Sequence, residues 1–360
     1  MREWRRNLQR MDWGLYAAAA TLALMGGIAM ASAASTINPR LAVRHDAWIV
    51  LGMIVSFGAS QSNYRRQTEL AWLAYGLSLV ALAMVSLAGV MRLGATRWLS
   101  IFGVSVQPSE VAKLTTIWLL ARELAGRDTP LSGRTVWTSL LFVIPPALLV
   151  LVQPDLGSAS VFIAIWVAMI WVAGASRRSL VALAALTIFC LPLGWQVLKD
   201  YQRDRLLVFL DPHADPLGAG FSIIQSTIAI GSGRFWGRGW FAGTQNQLSF
   251  LPERHSDFIF SVIGEEWGFC GSVAVVTACV WLLLRIARIA SETRDPQGRF
   301  IACGILAWLA YQSLVNIGMV MGVLPVVGVP LPLVSYGGSS MLTLWVALGL
   351  LQSIRRGMEL

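Results

Sequence analysis

Residues 251–286 read LPERHSDFIFSVIGEEWGFCGSVAVVTACVWLLLRI. From Phe258 onward the stretch is long and apolar enough to cross a hydrocarbon core about 30 Å thick, which takes roughly 20 helical residues. Its leading end carries Glu253, Arg254, His255, Asp257, Glu265 and Glu266. Ionisable groups at membrane depth are costly, and by default they mark function. What these acids do depends on which membrane surface they face and on what else shares it.

Comparable apolar runs fill the rest of the chain: 13–34, 42–61, 68–90, 108–126, 137–152, 156–175, 179–198, 299–324 and 338–355. With 258–286 they predict an all-α polytopic membrane protein of about ten transmembrane helices. The composition agrees: 360 residues are 56% apolar and only 13% charged, with 16 tryptophans. Residues 1–360 therefore form one transmembrane domain, with no separate soluble domain. MREWRRNLQR looks like a signal-peptide n-region, but the apolar run after it is too long and has no convincing cleavage site.

The arginines orient the helices, because short cytoplasmic loops carry the excess of positive charge. With both termini inside, the cytoplasmic side holds MREWRRNLQR, Arg65, Arg66, Arg122, Arg127, Arg134, Arg177, Arg178, Arg285, Arg288, Arg294, Arg299, Arg355 and Arg356. The short outer loops hold only Arg40, Arg44, Arg92 and Arg97. The net charge of +9 thus reflects topology and attraction to anionic lipid, not a nucleic-acid footprint. Cys190, Cys270, Cys279 and Cys303 lie in apolar runs without CxxC spacing and read as inert thiols. With three scattered histidines, no zinc or haem site is expected.

In that orientation four segments begin at the outer surface, each with a polar motif: QPSEVAK (107–113), QPDLGSA (153–159), ERHSDF (253–258) and SYGGSS (335–340). Four helix N-termini pointing one way gather unpaired N–H groups and positive dipole ends, which suit phosphate or carboxylate. Each motif also has a purely structural reading. Glu110 and Lys113, three apart, can pair with each other. Asp155 and Asp257 can be helix caps, and SYGGSS a flexible re-entry into the last helix. Helical phase separates the acids of the eighth segment. Glu265 lies about 80° from Asp257 and Glu266 about 180° away, so Glu265 is expected in the same cavity and Glu266 against a neighbouring helix.

Between 199 and 257 runs the longest extramembrane stretch, between the seventh and eighth helices. RLLVFL and FSIIQSTIAI within it suit interfacial half-helices. Lys199, Arg203, Arg205, Arg234, Arg238 and Arg254 make it basic, fit for an anionic headgroup. GSGRFWGRG (231–239) looks like a phosphate loop but follows no strand and faces outward, so no nucleotide site is expected. An enzyme on that side needs a donor that arrives already activated, such as a lipid-linked pyrophosphate sugar. Intramembrane charges and proline-broken segments also suit a flippase or another transporter. The polar motifs crowd the outer face, however, whereas alternating access wants a site near the midplane.

NQLSFLPERHSDFIFSVIGEEWG (246–268), QPSEVAK, QPDLGSA, FLDPHADPLGAG (209–220) and NIGMVMGVLPVVGVPLPLVSYGGSS (316–340) resemble the SEDS (shape, elongation, division and sporulation) family of peptidoglycan polymerases. GVPLPLVSYGG and LPERHSDFIF are closer to its elongation branch, RodA, than to its division branch. Ser256, Phe221 and Arg234 stand where threonine, tyrosine and glycine are usual. The resemblance implies a ten-helix inverting glycosyltransferase of the bacterial cytoplasmic membrane. It would polymerise lipid II into β-1,4 glycan, release undecaprenyl pyrophosphate and serve rod shape. Asp257 matches the family's essential aspartate, as general base or as ligand to a divalent cation, magnesium or manganese. Glu110, Lys113 and Asp155 match its membrane-embedded cavity. Arg203, Arg205, Glu265, Ser335, Tyr336, Ser339 and Ser340 are expected to support that cavity or to hold the headgroup. The implied partner is a class B penicillin-binding protein, a transpeptidase.

Overall fold

A computed structural model describes residues 9–358 except 89, 93, 94, 102, 103, 128, 129, 198, 199 and 219. Lys199 therefore lies outside the described residues, as does the side chain of Cys190. The first half comprises α1 (Trp13–Ala34), α2 (Arg40–Gln61), α3 (Tyr64–Glu69), α4 (Ala71–Ala88), β1 (Val90–Arg92), β2 (Ala95–Ile101), β3 (Val104–Val106), α5 (Pro108–Ala125), α6 (Gly133–Leu140), α7 (Ile144–Val152) and α8 (Leu156–Val172). The second half comprises α9 (Arg177–Val197), α10 (Asp200–Leu210), α11 (Phe221–Ser232), α12 (Thr244–Gln247), α13 (Ile259–Glu292), α14 (Pro296–Val320) and α15 (Gly338–Gly357).

Among the described residues, each of the ten apolar stretches lies mostly on helix. Among the described residues, α1, α2, the α6–α7 pair, α13 and α14 are each long and apolar enough to cross a membrane. α4 and α8 are apolar but shorter. α5 carries Glu110, Lys113, Arg122 and Glu123, which lowers its hydropathy although most of it is buried. The fifth stretch is two helices, because Pro145 and Pro146 at the start of α7 forbid a continuous ladder through them.

The fold is all-helical as expected, apart from one small element that the helical pattern does not foresee. β1, β2 and β3 form a small antiparallel sheet in that order, with Val90 opposite Trp98 and Leu99 opposite Val106. The run TRWLSI does not keep a period of two, with Thr96 beside Arg97 and Trp98 beside Leu99, so it carries no strand signal next to the far longer helical runs.

Helices pack where small residues let backbones approach. A Cβ on Gly349 of α15 would lie 2.3 Å from the carbonyl oxygen of Ser56 on α2, and one on Gly52 would lie 2.2 Å from the Trp345 ring. α13 breaks at Gly268, whose φ of 67° and ψ of −157° are not helical. The glycine-rich loop 231–239 fills that break with its own main chain. Arg238 N and Gly239 N donate to the Glu265 and Glu266 carbonyls, both at 3.0 Å. Phe269 N and Cys270 N donate back to Arg234 O (2.9 Å) and Phe235 O (3.1 Å). The glycines of GSGRFWGRG thus serve backbone contact. Among the described residues of the 199–257 stretch, α10, α11 and α12 are helical.

Candidate active site

The tips of α5, α8, α13 and α15 meet, and named bonds hold them. Gln107 N, at the start of α5, donates to Ser339 Oγ on α15 at 3.1 Å. Ser335 Oγ donates to the Ser256 carbonyl at 2.6 Å, and Tyr336 N donates to the His255 carbonyl at 2.9 Å. Together they fasten SYGGSS to ERHSDF. Asn316 Nδ2 on α14 donates to the carbonyls of Asp257 (2.8 Å) and Val329 (2.7 Å). The segment 327–329 also runs against α8, where a Cβ on Gly157 would lie 2.6 Å from Val327 O.

Asp257 precedes the first turn of α13 and is half-buried. Burial pushes its carboxyl up to about 7, reinforced by the nearby Glu253 and Asp155 and opposed by Arg205 and Arg97. A group poised near neutrality is matched to taking or giving a proton at physiological pH. Asp155 does cap α8, with Oδ1 accepting from Ser158 N (3.0 Å) and Oδ2 from Ser158 Oγ (2.9 Å). It also sits 3.7 Å from Arg97 Nη1. Asp155 thus caps α8 and at the same time lies close enough to act on the Asp257 carboxyl.

Arg97 is the residue that sequence reasoning missed. Standing on β2, it donates Nε to the Gln153 carbonyl at 3.3 Å and Nη2 to the Pro154 carbonyl, so it binds the sheet to the tip of α8. The available signal was an arginine in a short polar interruption between two apolar runs. Glu253 was missed too, as one charge in a run.

Deeper along α5, Lys113 Nζ and Glu110 Oε1 form a fully buried ion pair at 2.8 Å. Lys113 also lies 5.1 Å from the centre of the Trp308 ring on α14. Around the pair, Ser109 Oγ, Glu110 Oε2, Thr116 Oγ1 and both amide atoms of Gln312 are buried without a hydrogen-bond partner among the described residues. Polar atoms left so in a protein interior suit a polar partner from outside the chain.

Three expected site residues are placed elsewhere. Glu265 does not face Asp257: its carboxylate accepts from Thr244 Oγ1 (3.2 Å), Gln245 N (2.9 Å) and Asn246 N (3.2 Å), capping α12. The break at Gly268 admits the glycine loop beside it, which helical phase alone does not foresee. Arg203 donates to the Trp195 and Gln196 carbonyls at the end of α9, at 3.0 and 2.9 Å. Arg254, read as a basic loop residue, is buried and binds Ala33 O (3.0 Å), Asn246 O (2.7 Å) and Thr36 Oγ1. Glu266 instead meets the neighbouring helix, accepting from Ser32 Oγ at 2.5 Å. Arg205 is exposed, yet its charge acts on Asp257. Tyr336 lies between the rings of His45 (6.2 Å) and His255 (5.9 Å), and Ser340 is half-buried in the first turn of α15.

The family model of FtsW, RodA and SpoVE cell cycle proteins matches residues 12–359. The chain belongs to this family. It is 41% identical over 307 residues to the peptidoglycan glycosyltransferase MrdB of Escherichia coli K12, covering 85% of this chain and 83% of that one. It is 33% identical over 385 residues to the peptidoglycan glycosyltransferase RodA of Treponema pallidum, covering 87% and 89%. Among solved structures, a chain of a peptidoglycan synthase complex that coordinates polymerisation and crosslinking superposes with a TM-score of 0.83 at 37% identity, covering 97% of this chain and 98% of that one. Thermus thermophilus RodA superposes with a TM-score of 0.72 at 30% identity, covering 97% and 98%. The fold of this chain is therefore the RodA fold.

Proposed function

We propose that this FtsW/RodA/SpoVE family member is a peptidoglycan glycosyltransferase that extends glycan strands from lipid II for rod-shaped growth. The observation that carries the reading is the meeting of four helix tips around one half-buried carboxyl, Asp257, in a chain whose relatives are named for this activity. Ten crossings with both termini cytoplasmic put that junction at the outer face of the bacterial cytoplasmic membrane.

In the reaction, the 4-hydroxyl oxygen of the acceptor N-acetylglucosamine attacks the anomeric carbon of the donor. The bond from that carbon to the pyrophosphate oxygen breaks as the new one forms, so an α-linked donor gives a β-1,4 product. Asp257 accepts the hydroxyl proton and passes it to water. The leaving group carries the electron pair away as undecaprenyl pyrophosphate. Arg97 and Arg205, whose charges reach Asp257, also favour the growing negative charge on that pyrophosphate. Ser335 and Tyr336 align the two loops, and Ser339 and Ser340 offer hydroxyls at the tip of α15.

A divalent cation would neutralise pyrophosphate charge. Among the described residues no group of three or more histidine, cysteine or acidic side chains could hold a metal ion. In the rival role, with Asp257 as cation ligand and not as base, its carboxylate would hold magnesium or manganese together with substrate phosphate oxygens. The partner supporting this activity is a penicillin-binding protein of class B, in keeping with the synthase complex to which the chain is similar.

The test is purified full-length protein given lipid II, alone and with the transpeptidase, with the products resolved as glycan strands. Strands are expected from the native chain and a loss of at least about 100-fold from Asp257→Asn, the scale of a lost general base. Wild-type polymerisation by Asp257→Asn would remove the assigned role. Translocation of lipid II in liposomes without polymer would make the protein a flippase.

A further inference from the structure

At the far end of α13 from Asp257 lies a cavity of about 170 Å³ lined by Arg10, Asp12, Arg285, Arg288, Glu292 and Arg355, among others. Asp257 and Arg285 are 28 residues apart in the chain. At about 1.5 Å per helical residue, with α13 starting at Ile259 and broken at Gly268, that is at most roughly 40 Å, enough to cross a hydrocarbon core of about 30 Å. The cavity therefore sits at headgroup level on the membrane face opposite the candidate active site. Trp13, 55% exposed at its rim, is the residue type that anchors at this level.

The charges are unequal, with four guanidiniums and two carboxylates on the wall. Asp12 is committed to the fold. It caps α1 through Leu15 N (2.9 Å), and its main chain exchanges bonds with the Gln352 amide on α15 (2.8 and 2.7 Å). Arg285 holds its carboxylate at 2.5–3.1 Å. Glu292 is shared, accepting from Arg288 Nε at 2.6 Å and Arg355 Nη1 at 2.9 Å. Arg288 spends only Nε in this way, and its two Nη groups make no hydrogen bond to the described residues. A guanidinium fork matches phosphate oxygens in pairs. We infer that this cavity binds the phosphate of an anionic phospholipid headgroup, with Arg288 and Arg355 as its principal donors and Arg10 beside them. Basic pockets between membrane helices at the cytoplasmic surface are suited to such headgroups. The inference is independent of the chemistry at Asp257, which lies a membrane thickness away.

The test measures binding of phosphatidylglycerol to the delipidated full-length protein by native mass spectrometry, against phosphatidylcholine and inorganic phosphate. The native protein should retain phosphatidylglycerol at least fivefold better than phosphatidylcholine. Arg288→Gln with Arg355→Gln should abolish that preference. Glu292→Gln breaks the same ion pairs but removes a negative charge, so it should raise the preference at least twofold. Opposite changes in the two variants support a phosphate site, whereas a loss in both would show only a disrupted helix end and overturn it. Equal binding by all three proteins overturns it too. Competition by inorganic phosphate at millimolar concentration would assign the same arginines to a soluble anion and overturn the lipid as its source.

Discussion

A Cβ placed on Gly328 would lie 3.2 Å from Oδ2 of Asp257, and the backbone at Gly328 has a φ of 71°. The proline-rich segment before α15 therefore forms one wall of the carboxyl's surroundings. It does so through a residue that needs both the absence of a side chain and a left-handed backbone. Gly328→Ala should cost about 1 kcal/mol or more in stability, because the conformation suits alanine poorly. It should also lower kcat by about 10- to 100-fold through displacement of the carboxylate. Polymerisation by the purified variant at the native rate would separate this wall from catalysis.

Asn316 ties α14 to both sides of the junction through the Asp257 and Val329 carbonyls. Asn316→Ala leaves the buried Val329 carbonyl unpaired, at about 1–3 kcal/mol, and the part-buried Asp257 carbonyl at less. Asn316→Asp sets a carboxylate against those same carbonyls and should be worse in both unfolding and turnover. The ranking of the two variants in a detergent melt checks the bond: an aspartate as stable as alanine speaks against it.

The pH dependence has a definite sign. Burial, then Glu253 and Asp155, holds the Asp257 carboxyl protonated up to about 7. A general base works deprotonated, so kcat/KM should rise about tenfold per pH unit below 7 and level above it. Glu253→Gln removes a negative neighbour and should move the limb to lower pH, whereas Arg97→Gln should move it higher. Because the folded protein keeps this proton longer than the unfolded chain, Asp257 favours the fold most at acid pH. That contribution is lost as pH rises from the ordinary carboxylate range through 7. A profile flat between pH 5 and 8 would leave the base unassigned.

Arg254 gives a contrasting case. Buried against Ala33, Thr36 and Asn246, it joins the loop before α13 to the end of α1. Arg254→Ala should destabilise by about 2–4 kcal/mol, with a cavity and orphaned carbonyls left behind. Arg254→Lys should recover little, because an ammonium lacks the planar fork. The measurement is melting temperature beside lipid II affinity. A variant with native stability but weakened affinity would return Arg254 to the headgroup.

Gly237→Ala should prevent folding more than it impairs catalysis. Its φ is 83°, and an added Cβ would stand 2.1 Å from the Glu266 carbonyl oxygen, inside the break of α13. Yield of folded protein after detergent extraction reads this directly; native yield would show that the loop can leave the helix without cost.

Apolar runs of spanning length and the polar motifs at alternate helix starts are local properties, and the chain carries them openly. They suffice for the helices, for the grouping of QPSEVAK, QPDLGSA, ERHSDF and SYGGSS, and for Asp257 as the residue to question. Contacts between distant segments are another matter. Helical phase relates Glu265 to Asp257 only if both lie on one helix, but α13 begins at Ile259, and Glu265 is taken up by main-chain N–H groups of residues 245 and 246. Arg97 and Arg254 are both arginines between apolar stretches, yet one reaches the tip of α8 and the other is buried beneath a loop. Charge type was legible in the sequence. Which acceptor each guanidinium meets was decided only by tertiary packing, because burial obliges a polar group to take whatever partner the folded chain brings within about 3 Å.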